Sequence, residues 1–196
     1  MSTIETQYNQ ALDYLYSFVD YSLKHISELA KAEFNLDRMF ALMEELGNPQ
    51  EKYPIIHVAG TKGKGSVSAL CAAGLKAAGY KTGLYTSPHL WDYVERIQIN
   101  GEPISHQQLI ELVEEVKPAV AKIPKLTTFE ITTALGFLAF AKNDVNTAVI
   151  EVASAGDSTR RILSFRKSQS LLHYRMTTWQ FWEIHLRRSQ GKKPAL

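Results

Sequence analysis

The stretch His57-Val58-Ala59-Gly60-Thr61-Lys62-Gly63-Lys64-Gly65-Ser66-Val67 decides the fold of this 196-residue chain. Its first residues end an apolar run, 54–59, that is typical of a buried parallel strand. Its last residues open a segment, 66–78, whose apolar side chains recur at helical spacing, and a second strand-like run follows at 81–85. The order strand, glycine-rich loop, helix, strand predicts a βαβ unit. We therefore expect an α/β fold with a parallel sheet and helices on its faces.

The glycine-rich loop has the composition of a phosphate-binding loop. Glycines let backbone amides close around phosphate oxygens, and the N-terminus of the following helix adds positive partial charge. Lys64 would reach the terminal phosphates of a nucleotide, and Ser66 would face a phosphate or a metal ion. The extra Gly65 between them departs from the usual phosphate-loop spacing, and a plain glycine-rich turn is the alternative. The predicted phosphate-binding residues are Gly60, Thr61, Lys62, Gly63, Lys64, Gly65 and Ser66.

Helices are predicted before the glycine-rich loop. Ser2-x-x-Glu5 has the pattern of a capping box, and Leu12, Leu15 and Val19 follow it at helical spacing. A second helix is predicted over about 35–46, where Gly47-Asn48-Pro49 ends it.

Further elements are predicted after the second strand. Residues 94–103 suggest an excursion or a hairpin that turns at Gly101-Glu102-Pro103. Helices are predicted from Ser105 and over 128–141. A third buried strand is predicted at 147–152, with the carboxylate of Glu151 near its end.

Composition bounds the class of protein. Apolar residues make up 45% and charged residues 21% of the chain, which is typical of a globular protein. No apolar run reaches the roughly 18 residues of a membrane span, and residues 1–5 lack the features of a secretory signal. The single cysteine, Cys71, excludes an intrachain disulfide and is expected to be a small buried apolar residue. We expect a cytoplasmic protein.

Charge is distributed unevenly along the chain. Residues 1–152 contain 13 Lys/Arg and 18 Asp/Glu, whereas residues 153–196 contain 9 and 2. Six arginines and two tryptophans, Trp179 and Trp182, lie in this last part. A basic tail with interleaved aromatic residues is found in proteins that bind nucleic acid, and also in solvated termini.

Three separate motifs resemble those of one enzyme family. The glycine-rich loop, then Thr86-Ser87-Pro88-His89-Leu90, then Glu95-Arg96-Ile97 resemble folylpolyglutamate synthase/dihydrofolate synthase, of the Mur ligase superfamily. The segment 36–50 and Phe129-Glu130 also resemble it, so the resemblance covers residues 1–152. It implies that residues 1–152 are the N-terminal part of an ATP-binding domain, an incomplete version of the Mur ligase central ATPase domain.

The resemblance also implies an activity. In this family ATP phosphorylates a carboxylate of folate or pteroate, and the amino group of L-glutamate then attacks the acyl phosphate. Carried over by position, Thr61 to Ser66 cradle ATP with Lys64 as the catalytic lysine, and Ser87 and Glu151 are magnesium ligands. Hard oxygen donors suit that ion. The implied partners are these small molecules, with no nucleic acid and no membrane, and a monomer is expected.

Several of these positions have a simpler interpretation. Ser87 could be a turn residue before a proline, and Glu151 an ordinary carboxylate at a strand end. His89 and Arg96 are expected to line the folate site, although an exposed loop charge is the alternative. His57 lies inside the first strand and is interpreted as a hydrogen-bonded core histidine rather than a catalyst.

The resemblance ends after Glu151-Val152. There the family has a glycine-rich loop, G-L-G-G-R-L-D-A-T-N, which this chain lacks. The codons of this stretch can also be read in a shifted frame, in which the third base of each codon joins the first two bases of the next. If synonymous codons are chosen freely, the shifted frame of residues 153–162 encodes L-G-G-R-L-D-A-T-N. The preceding glycine is recovered at the Val152/Ala153 junction, and later residues yield further family segments. We therefore infer that one base is lost at this junction and that residues 153–196 are an out-of-frame tail without a domain.

The lost frame has functional consequences. It would encode the family's third magnesium ligand, a histidine in a D-H pair, and a carbamylated lysine that helps to bind metal. The rest of the ATPase domain and the glutamate-binding C-terminal domain are expected to be missing, with an exposed sheet edge. We expect a truncated ATP-dependent ligase by lineage, itself inactive. The alternative is a small nucleotide-binding module whose basic tail contacts nucleic acid.

Overall fold

The computed structural model describes residues 3–18, 36–60, 62–151, 170–174 and 184–187. Five helices lie in these ranges: α1 (Thr3–Tyr16), α2 (Leu36–Glu45), α3 (Lys64–Ala77), α4 (His106–Val120) and α5 (Thr128–Lys142). The strands there are β1 (Ile55–Ala59), β2 (Thr82–Tyr85), β3 (Ile97–Ile99), β4 (Glu102–Pro103), β5 (Thr147–Glu151), β6 (Ser170–Tyr174) and β7 (Ile184–Arg187). Short 3-10 turns occupy Pro49–Glu51 and Tyr93–Arg96.

The strands form one mixed sheet in the order β4-β3-β2-β5-β1-β6-β7. Strands β2, β5, β1 and β6 are parallel, whereas β3, β4 and β7 are antiparallel to their neighbours. The register sets Val58 beside Glu151 and Tyr85 beside Ile150. The predicted α/β fold with a parallel sheet around a βαβ core is confirmed.

Helices cover both faces of the sheet, and neighbouring residues of each buried strand face opposite ways. On β5, Ala148 and Ile150 join the larger core with buried residues of α1, α2, α4 and α5. Val149 faces the other way, into a smaller cluster with Val58, Leu84 and Ala72 of α3. Cys71 is half-buried against this smaller cluster, so the expectation of a fully buried thiol is only partly met.

Most predicted elements lie within two residues of their expected positions. The predicted hairpin is formed by β3 and β4, and the turn between them uses the positive φ angles of Asn100 and Gly101. Ser105 and Thr127 cap α4 and α5 by accepting hydrogen bonds from the backbone N–H groups of Gln108 and Glu130. The predicted capping residue Ser2 and the predicted phosphate-binding Thr61 lie outside the described residues.

The expected exposed sheet edge does not lie at β1, because the tail adds two strands and β7 is the outermost strand on that side of the described sheet. Strand β6 pairs in parallel with β1, from Ile56 beside Ser170 to Ala59 beside His173, and β7 pairs with β6. The physical reason is that an apolar segment with extended backbone can satisfy the N–H and C=O groups that β1 would otherwise expose. The inference that residues 153–196 are an out-of-frame tail without a domain stays a prediction, and of these residues 153–169, 175–183 and 188–196 lie outside the described residues.

None of the helices in the described ranges is both long and apolar enough to cross a membrane.

Candidate functional site

The glycine-rich loop connects the carboxyl end of β1 to the first turn of α3. Strand β1 ends at Ala59, and Lys64, Gly65 and Ser66 already belong to the helix. Gly63 precedes the helix with φ of 72°, a left-handed conformation that glycine adopts without the steric cost of a Cβ atom. The first backbone N–H groups of a helix have no partner within it, so they can point at an anion.

Two more predicted residues meet this loop. The carboxylate of Glu151, at the end of β5, accepts a hydrogen bond from the backbone N–H of Ser87 at 3.1 Å. A Cβ atom built on Gly65 would lie 3.4 Å from Oε2 of Glu151. The glycine-rich loop, Ser87 and Glu151 therefore converge at the carboxyl ends of the adjacent strands β2, β5 and β1. Ligands of open α/β sheets bind at this edge.

Glu151 is the buried acidic residue of the site. Its residue is only 7% exposed, and burial raises the pKa of its carboxyl group, while the Ser87 N–H group and the Lys64 ammonium oppose that rise. The Glu151 carboxylate and the hydroxyl that Ser87 carries are hard-oxygen donors of the kind that fits Mg²⁺. No group of three or more His, Cys, Asp or Glu side chains in the described ranges could hold a metal ion alone.

The segment that follows Ser87 joins two predicted substrate residues. Nε of Arg96 donates a hydrogen bond to Nδ1 of His89 at 2.9 Å, and the guanidinium lies 4.9 Å from the centre of the Tyr93 ring. Burial, and then the positive charge of Arg96, lower the pKa of His89. The structure therefore holds His89 and Arg96 in one cluster beside an aromatic ring, with Arg96 as its cation.

Sequence reasoning missed the residues that hold this segment in place. Glu95 accepts hydrogen bonds from consecutive backbone N–H groups of Leu90, Trp91 and Asp92. The spacing Asp92-x-x-Glu95 matches a capping box, and that local signal could have identified Glu95.

A second missed group ties the segment to α1 and α4. The carboxylate of Asp92 accepts a hydrogen bond from the Tyr8 hydroxyl and lies 2.8 Å from Nε2 of His106. The rings of Tyr8 and His106 stack with centroids 3.7 Å apart. Tyr8 is 84 residues from Asp92 in the chain, so no local pattern could have indicated this contact.

His57 is a buried histidine of β1, as predicted, but the expectation of a hydrogen-bonded side chain is wrong for Nε2. This atom has no hydrogen-bond partner among the residues that the structure describes. The ring projects from the same side of β1 as Ile55, which lies in the larger apolar core. Burial lowers the pKa of His57 from 6.5 to about 4, which keeps the ring neutral.

Comparisons with known proteins point to one family. The chain is 44% identical over 134 residues to the dihydrofolate synthase/folylpolyglutamate synthase of Mycobacterium tuberculosis, across 62% of this chain and 28% of that protein. The solved Mycobacterium tuberculosis folylpolyglutamate synthase complexed with ADP aligns with a TM-score of 0.74 and 36% identity, over 86% of this chain and 37% of the other.

A solved complex of FPGS, folylpolyglutamate synthase, with AMPPCP and folate aligns with a TM-score of 0.71 and 33% identity. That alignment covers 88% of this chain and 41% of the other. The chain thus spans about a third of the length of the curated relatives that it matches. No protein-family model matches it.

Proposed function

Because the chain belongs to the folylpolyglutamate synthase/dihydrofolate synthase family and corresponds to its N-terminal part, we propose that residues 60–66 bind the phosphates of ATP. The observation that carries this proposal is the convergence of the Gly63–Lys64 turn, Ser87 and Glu151 at one sheet edge. Relatives were solved with ADP and with AMPPCP, which supports the same ligand class here. The comparisons give no support to a nucleic-acid-binding module.

The activity of the lineage is ATP-dependent ligation of L-glutamate to a folate or pteroate. In this reaction a substrate carboxylate takes the terminal phosphoryl group of ATP, and the glutamate amino group displaces phosphate to form an amide. Lys64, at the start of α3, would contact the phosphoryl oxygens, where a fixed cation stabilises the charge that develops during transfer. The backbone N–H groups of the same helical turn would orient the phosphates.

Ser87 and Glu151 would hold Mg²⁺ together with phosphate oxygens. The ion, when bound, would neutralise phosphate charge. Burial of Glu151 fits this role, because a desolvated carboxylate gains more from a cation than a solvated one does. His89 and Arg96 would face the folate or pteroate, with the guanidinium as the partner of an anionic group.

Location and assembly are part of the same proposal. We place the protein in the cytoplasm, because a chain with a single cysteine has no intrachain disulfide that would require an oxidising compartment. A monomer is expected, and sedimentation of the purified chain would test it.

Nucleotide binding is the direct test. Calorimetric titration of AMPPCP with Mg²⁺ should detect binding to the wild-type chain. The Lys64→Ala variant should bind at least about tenfold more weakly, because a hydrogen bond to a charged group contributes about 1.5–3 kcal/mol. Lys76→Ala, in the last turn of the same helix, is the matched control and should bind like the wild type. Equal affinities of the wild type and Lys64→Ala would contradict the proposal.

A further inference from the structure

The chain between β2 and β3 forms a loop that is closed at its neck. The backbone N–H group of Thr86 donates a hydrogen bond to the carbonyl oxygen of Arg96 at 3.0 Å. We call residues 86–96 the β2–β3 segment. Ser87 follows the neck directly, and its N–H group is bonded to Glu151. The position of Ser87 therefore depends on how the whole β2–β3 segment is held.

Asp92 anchors the middle of the β2–β3 segment to two helices. Its carboxylate accepts a hydrogen bond from the hydroxyl of Tyr8 on α1, and Oδ2 lies 2.8 Å from Nε2 of His106, at the start of α4. The rings of Tyr8 and His106 stack with centroids 3.7 Å apart and with planes inclined by only 7°. The stacked rings thus direct two polar groups at one carboxylate.

Charge strengthens this anchor. Nδ1 of His106 lies 4.0 Å from Oε2 of Glu5, so the two ring nitrogens face two carboxylates, one from α1 and one from the β2–β3 segment. A protonated ring can donate to both. Burial would raise the pKa of Asp92, but its hydrogen bonds with His106 and Tyr8 lower that pKa overall, which keeps the carboxylate charged. Burial and the Asp92 carboxylate raise the pKa of Tyr8, so its hydroxyl remains a donor.

Charged groups from the other helices packed against α4 lie further along it. Lys142 of α5 pairs with Glu115, and Glu45 of α2 pairs with Lys122, both more than two turns beyond His106. The charge on His106 is therefore felt first by Asp92 and Glu5.

The backbone around Asp92 moves as one unit. The carboxylate of Glu95 accepts hydrogen bonds from three consecutive N–H groups, those of residues 90–92, at 2.8 to 3.1 Å. A displacement of Asp92 would therefore carry residue 90 with it. Only two residues lie between residue 90 and Ser87.

We propose that Asp92 and His106 are positioning residues, which hold the β2–β3 segment so that Ser87 stays at the site of the nucleotide and Mg²⁺. This inference rests on the proposed function. Both side chains act through the β2–β3 segment rather than by contact with phosphate. Histidine is the side chain whose charge changes between about pH 5 and 8, so the segment should be held more firmly at the acidic end of this range.

The helices have other supports that remain when this pair is broken. Ala11 and Leu15 bury α1 in the larger core, and Ser105 caps α4 by accepting a hydrogen bond from the N–H group of Gln108. Substitution of His106 should therefore loosen the β2–β3 segment without unfolding either helix.

The first test is hydrogen exchange of the peptide 86–96, measured by mass spectrometry at about pH 6 and about pH 8. In His106→Gln, which carries no charge, this peptide should exchange at least about threefold faster than in the wild type at the lower pH, and the two rates should converge at the higher pH. His106→Lys, charged at both, should exchange more slowly than His106→Gln by the same factor at both. A peptide from β5 should exchange equally in all three proteins, which excludes global unfolding.

The second test is titration of AMPPCP with Mg²⁺ at the same two pH values. His106→Gln should bind at least about threefold more weakly than the wild type at the lower pH, and the two affinities should converge at the higher pH. Gln107→Ala is the matched control, because Gln107 is the exposed neighbour of His106 and donates its side-chain hydrogen bond to Glu111 on the same helix. It should bind like the wild type at both pH values.

Three results would overturn the inference. One is equal exchange of the peptide 86–96 in the wild type and His106→Gln at the lower pH. Another is a difference that is the same at both pH values, the result expected of a merely structural side chain. The third is faster exchange with unchanged AMPPCP affinity, because the pair would then hold the segment without placing Ser87. Failure of the wild type to bind AMPPCP would instead contradict the proposed nucleotide site, and the exchange experiment would still decide whether the pair holds the segment.

Discussion

The carboxylate of Glu151 accepts a hydrogen bond from the backbone N–H of Ser87, 64 residues earlier in the chain, at 3.1 Å. The bond connects the end of β5 with the segment after β2, its parallel neighbour. The same carboxylate would lie 3.4 Å from a Cβ atom on Gly65. The buried Glu151 side chain therefore lies against both parts of the proposed site. Substitution by glutamine would remove its charge and keep its size.

Glu151→Gln should reduce the affinity for AMPPCP in the presence of Mg²⁺ by about tenfold or more, because the amide loses the charge that attracts the ion. Its oxygen can still accept the bond from Ser87, so the fold should persist. Binding without Mg²⁺ should change little, and titrations with and without the ion measure the difference. Glu114→Gln, at an exposed ion pair on α4, is the control. A Mg²⁺ dependence unchanged in Glu151→Gln would remove Glu151 from the ion site.

Local patterns in the sequence were sufficient for the core of the fold. The apolar runs around Val58 and Val149 predict buried parallel strands, and Ser105 has the type and position of a helix cap. The phosphate-binding loop follows from its glycines between a strand and a helix. Because parallel strands end at one edge, even the proximity of this loop to Glu151 was predictable in outline.

Contacts between distant residues were not predictable in this way. The position of Asp92 depends on Tyr8 and His106, which no periodicity connects to it. The pairing of β6 with β1 was missed because register depends on which edge is open, and not on any pattern within 170–174. Whether Nε2 of His57 has a hydrogen-bond partner depends on the residues packed around it, and strand periodicity does not indicate these.

Gly83→Ala should destabilise the protein by about 1–3 kcal/mol. A Cβ atom at this position of β2 would lie 2.6 Å from Cδ1 of Phe140, whose fully buried ring has little room to move. Gly74→Ala, on α3, is the matched control, because nothing lies within 4 Å of its Cβ position. This second change should stabilise the chain by up to about 1 kcal/mol through helix propensity. Urea unfolding measures both, and similar effects of the two substitutions would contradict this packing.

Acid should destabilise the fold through His57. The pKa of this histidine is about 4 in the folded chain and 6.5 in an ordinary environment, so the unfolded chain binds more protons between these values. Stability from the neutral ring is therefore complete above about pH 6.5 and is lost as the pH falls towards 4. The loss should reach roughly 2–3 kcal/mol near pH 4.5.

The matched variant for this titration is His57→Leu, which carries no titratable ring. Carboxylates titrate in both proteins, so the difference between their unfolding free energies at about pH 7 and about pH 4.5 isolates the histidine. If the two proteins lose equal stability on acidification, the folded-state pKa of His57 is not depressed.

We expect no glutamate- and folate-dependent release of ADP by this chain, and clear release once one base is restored at the Val152/Ala153 junction. Phosphoryl transfer needs the nucleotide, the ion and the acceptor held together, and orientation alone can supply about 7–11 kcal/mol of a barrier. The proposed ion site draws on Ser87 and Glu151 alone among the described residues, and the resemblance assigns its further ligands to the other reading frame. The measurement is ADP release by both proteins at equal concentration, with Lys64→Ala in the restored protein as the inactive control. Ligase turnover by the present chain, or a restored frame that continues without the glycine-rich loop, would contradict the lost base as the cause.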